Sequence, residues 1–87
     1  MPYIDEVQRN VCDSLLKELL DKVCYKTKTG ILNYIITKIL LKAVGQTPTY
    51  SRYNELVGVL ECAKMELYRR VIVEYEEKKR EKNGDVY

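Results

Sequence analysis

The segment Ile31 to Val44 is apolar on nearly every side, and this limits what an 87-residue chain can become. Ile31, Leu32, Tyr34, Ile35, Ile36, Ile39, Leu40, Leu41 and Val44 have helical spacing but leave no broad polar face for solvent. Such a helix needs cover on several sides, and a short chain has little to spare. At 10.2 kDa, a folded monomer is expected to expose about 5,300 Å² of roughly 14,800 Å² in the unfolded chain, burying only about 64%. The sequence therefore points to help from a partner subunit.

Two more helices flank this one. The first is expected from about Asp5 to Cys24, with Val7, Val11, Leu15 and Leu19 in one stripe supported by Cys12, Leu16, Leu20 and Val23. Lys26 to Gly30 breaks the pattern, and Thr29 or Gly30 can start the second helix, expected over about 31–44. Gly45 supplies its stop, and Thr47-Pro48 prevents continuation. Ser51 is the expected N-cap of the third helix, which reads unbroken over about 51–82, roughly 48 Å at 1.5 Å per residue. Leu56, Leu60, Ala63, Leu67 and Val71 form one face of it; Tyr53, Val57, Met65, Tyr68 and Ile72 form another. Its end is charged, with Glu74/Lys78 and Glu76/Arg80 at the favourable i,i+4 spacing. The fold class is all-α: a small three-helix domain over residues 1–87 with a long C-terminal helix, assembling as a helical homo-oligomer. Symmetry base rates favour a dimer.

Composition excludes much chemistry. The 87 residues contain no histidine, so neither a Ser-His nor a Cys-His nucleophile pair can form. Cys12, Cys24 and Cys62 are too scattered for a zinc site, and their apolar-periodic settings predict buried free thiols in a reducing cytosol. Glu61 and Glu66 point about 140° apart on a helix, which rules out an acid/base dyad. No catalytic residue, metal or cofactor is expected. The N-terminus lacks a signal-peptide pattern, and no apolar run reaches the roughly 18 residues of a membrane span. A soluble, intracellular protein is expected.

Charge distribution says more than the formal net charge of +2. No acidic residue lies between Asp21 and Glu55, while Lys22, Lys26, Lys28, Lys38, Lys42 and Arg52 do. Such a window suits an anion. The loop into the third helix holds Tyr50 and Tyr53 for stacking a base, Arg52 for a phosphate, and Asn54 for polar edges. Asn33 and Thr37, one turn apart on the greasy helix, either knit a buried network or face a ligand; Arg69 and Arg70 add a second basic pair. Gly58, inside the third helix, predicts close packing by a neighbour. Nucleic-acid binding is not expected, because the overall balance is nearly neutral and no nucleic-acid motif has the right spacing.

Several segments carry a resemblance: Met1-Pro-Tyr-Ile4, Leu32-Asn-Tyr-Ile-Ile-Thr37, Asn54-Glu-Leu-Val-Gly58, Leu60 to Arg70, and Glu81 to Tyr87. Through them the chain resembles an uncharacterised family of small proteins encoded by bacteriophages and prophages. Glu74 departs from the family pattern, which has proline there, so the helix continues where the relatives bend. The resemblance implies, by analogy, a counter-defence protein that binds and sequesters a nucleotide immune signal between subunits. That signal would be a cyclic oligonucleotide or an ADP-ribose-type molecule. The alternative is a non-enzymatic factor that binds a host or phage protein through the third helix or the Val86-Tyr87 tail.

Overall fold

A computed structural model of the chain describes residues 4–87. Among them the secondary structure is helical, with no strand. The elements are α1 (Glu6–Lys22), α2 (Thr29–Val44) and a long third helix. That third helix begins as α3 (Tyr50–Leu67), passes through a π-helical turn (Tyr68–Ile72) and continues as α4 (Val73–Asn83). The chain divides into two compact units, Met1–Thr37 and Lys38–Tyr87.

In the first unit, Asp5 caps α1. Its carboxylate accepts the Gln8 N–H at 2.8 Å, and the Gln8 side chain accepts the Asp5 N–H at 3.0 Å, a reciprocal capping box. After α1 the chain turns on Thr27, whose hydroxyl accepts the Cys24 N–H at 2.9 Å. The N–H groups of Ile31 and Leu32 then both reach the Lys28 carbonyl, at 3.0 and 3.1 Å. Helix α2 accordingly starts at Thr29, two residues before the apolar run.

In the second unit, Gly45 takes φ +83°, a left-handed conformation that glycine adopts without a Cβ clash, just after α2 ends. The cap of α3 is Thr49, not Ser51. Thr49 is extended and its hydroxyl accepts the Arg52 N–H at 3.1 Å, leaving Ser51 inside the first turn. Arg52 in turn donates through Nε to the Ala43 carbonyl at 3.1 Å, tying the start of α3 to the end of α2. The long helix is not α-helical throughout, as its spacing suggested. At the π turn the Val73 N–H reaches the Tyr68 carbonyl, five residues back. Glu74 pairs with Lys78 at 3.9 Å as expected, whereas Arg80 pairs with Asp85 at 3.6 Å instead of Glu76, because the chain reverses at Gly84 (φ +86°).

The described residues contain a single buried apolar side chain, Leu56, at 9% exposure. Three sequence expectations change accordingly. Cys12, Cys24 and Cys62 are exposed, not buried: apolar spacing marks a face without saying that anything covers it. Asn33 and Thr37 are exposed, so neither belongs to a buried network. A Cβ placed on Gly58 would meet nothing within 4 Å among the described residues, so the close packing expected there is not seen.

Candidate functional site

The residues expected to hold a ligand fall in three places. Tyr50, Arg52, Tyr53 and Asn54 share the first turn of α3. Thr49 caps the helix, and Tyr50, its first residue, is 80% exposed. The free amides of a helix start attract anions. Arg52 is half-buried and already engaged. Beyond Ala43, its Nη1 donates to Glu55 at 3.0 Å. Its first task is structural: it satisfies a carbonyl left over at the end of α2 and places its positive charge at that negative helix end.

Asn33 and Thr37 lie on α2 in the first unit, on exposed positions. Arg69 and Arg70 lie in the π turn of the second. Both are held by Glu66: Arg69 Nη2 donates to its Oε1, and Arg70 Nε lies 3.4 Å from its Oε2. Glu66 thus neutralises part of the basic pair. The sequence shows the i,i+3 and i,i+4 spacings that bring these groups together, so Glu66 was findable as their partner.

Elsewhere in the basic window, Lys26 sits 5.7 Å over the Tyr25 ring, a cation–π contact that leaves its charge facing water. At the other end of the chain the tail folds back beside α4. The Tyr87 N–H donates to Asp85 at 2.9 Å, and an open groove of about 360 Å³ runs between the tail and Val73, Glu76 and Glu77. Among the described residues, no cluster of Cys, Asp or Glu could hold a metal ion, and no helix is long and apolar enough to cross a membrane.

A family model described as a domain of unknown function (DUF6899) matches residues 1–86. No curated protein and no solved structure matches the chain.

Proposed function

We propose that this chain, which belongs to the DUF6899 family, acts by binding rather than catalysis: a helical homo-oligomer that sequesters a nucleotide-derived anion at its subunit boundaries. The observation that carries the reading is the start of α3. There an exposed tyrosine, a helix N-terminus and Arg52 stand together at the end of a segment with no acidic residue. Tyr50 or Tyr53 stacks the base, while the α3 amides and Arg52 meet phosphate and Asn54 reads a polar edge. Arg69 and Arg70 can join only by leaving Glu66. Asn33 and Thr37 would line the same boundary from a neighbouring copy.

The resemblance to phage-encoded proteins makes a bacterial immune signal the natural cargo, held in the cytosol of the host. Sequestration needs no turnover, which suits a chain without histidine. Binding one site at a hundred times Kd adds about 2.7 kcal/mol. A panel of cyclic dinucleotides, cyclic trinucleotides and ADP-ribose derivatives should therefore contain one that clearly raises the melting temperature and is recovered intact. Tyr50→Ala should abolish the shift without changing helix content. A flat panel would sink this reading.

A second reading, binding of a host or phage protein, is favoured by the C-terminal Val86 and Tyr87, whose side chains are almost fully exposed. It predicts stoichiometric recovery of one protein from infected lysate, lost when Val86 and Tyr87 are removed, and no response to nucleotides.

A further inference from the structure

We propose that the long third helix pairs, antiparallel, with the same helix of a second copy about a two-fold axis beside Ala63. This rests on the homo-oligomer reading above and supplies its interface. From Tyr53, apolar residues recur at alternating spacings of three and four: Tyr53, Leu56, Leu60, Ala63, Leu67. That is the seam of a coiled coil. Continued unchanged, the seam would fall on Arg70 and Glu74, both charged; slipped by one residue, it falls on Val71 and Tyr75. The π turn lies where the slip occurs. Its i,i+5 bond takes up one extra residue, so at 3.6 residues per turn Val71 and Tyr75 return to the line of Leu60 and Leu67. The bulge keeps one continuous seam.

The order of sizes along that seam identifies the occupant. Tyr53, Leu56, Leu60, Ala63, Leu67, Val71 and Tyr75 read nearly the same from either end. A two-fold interface requires that if one residue meets another, the converse also holds. Antiparallel pairing meets this with Tyr53 on Tyr75, Leu60 on Leu67, and Ala63 on itself where the axes come closest. Leu56 is already buried in a single chain, so Val71 of the second copy meets the rim around it.

Charge selects the same direction. From Tyr50 to Leu67 there are three acids and two bases; from Tyr68 to Asn83 there are six bases and four acids. Antiparallel pairing sets the acidic half on the basic half. Lys64 falls beside the axis with its own counter-ion, Glu61, at 3.4 Å.

The seam is open in a single chain: Tyr53, Leu60, Leu67, Val71 and Tyr75 are all between 42% and 60% exposed.

The test uses the full chain with Cys12, Cys24 and Cys62 replaced by serine, after circular dichroism and light scattering show unchanged helix content and mass. Scattering should give a multiple of two chains, and Leu60→Lys should halve the mass. Under diamide, Ala63→Cys should cross-link to itself. Tyr53→Cys should not, but should cross-link when mixed with Tyr75→Cys. A monomeric mass, or self-cross-linking of Tyr53→Cys without the mixed product, would overturn the proposal. A cross-linked dimer that ignores every nucleotide would leave the interface standing and remove only the sequestration reading.

Discussion

At the scale of single residues, glycine and glutamate give the sharpest tests. Gly58 sits in the middle of α3 with open space where its Cβ would be, on the side of the helix away from Leu56, Leu60 and Leu67. Glycine there costs helix stability without serving a close contact. Gly58→Ala should therefore stabilise the protein by about 1 kcal/mol, a rise in melting temperature of about 4–8 °C for a domain this small. A fall would mean that a partner backbone or ligand lies against that face. Glu66 offers a complementary test, because it holds both arginines of the π turn. The pairs are at least partly exposed, so Glu66→Ala should change stability by less than about 1 kcal/mol. It would, however, release two cations. If Arg69 and Arg70 bind phosphate, nucleotide affinity should rise on titration; if the α3 start carries the site, affinity should stay the same.

At the scale of elements, the three helices were legible because apolar residues at 3.6-residue spacing mark them whatever they pack against. The starts were less so. Thr49 and Ser51 are both good caps, and the choice between them follows from the bond of Arg52 to the Ala43 carbonyl, a contact across nine residues. The π turn was hidden for a different reason. Leu67 and Val71 are four apart, an ordinary helical interval, and only the seam before and after them shows that one residue is surplus. The exposed cysteines were misjudged because periodicity shows that a face is apolar, not that its cover belongs to the same chain. In the candidate site, the grouping at the α3 start was readable from the short stretch Tyr50 to Asn54, whereas the commitment of Arg52 to two partners was not. The surplus residue can be tested directly. Deleting Arg70 puts Val71 and Tyr75 at regular heptad spacing, so the helix can close as α throughout. Mass and helix content should be retained. Inserting an alanine after Arg70 turns Tyr75 about 100° out of the seam and should weaken association on dilution, read by light scattering.

At the scale of the whole molecule, the homo-oligomer we propose would make folding and assembly one process. Helix α2 presents apolar side chains around most of its circumference, and Ile31, Tyr34, Ile39 and Leu41 all remain more than half exposed in one chain. Helix propensity alone does not hold a helix of 16 residues in water; tertiary or quaternary cover does. Leu56 is the single buried apolar side chain among the described residues, so in the proposed assembly other copies would supply the burial that offsets backbone ordering. Stability then depends on protomer concentration. For a dimer, each tenfold dilution removes about 1.4 kcal/mol, and two chains melting together should lose about 3–6 °C for it. Helix content and mass should fall in the same transition, and Leu60→Lys should lower both. The measurement is circular dichroism melting across three decades of protein concentration. A melting temperature that does not move would mean that one chain covers its own α2, and the seam of the third helix would then be free for a different partner.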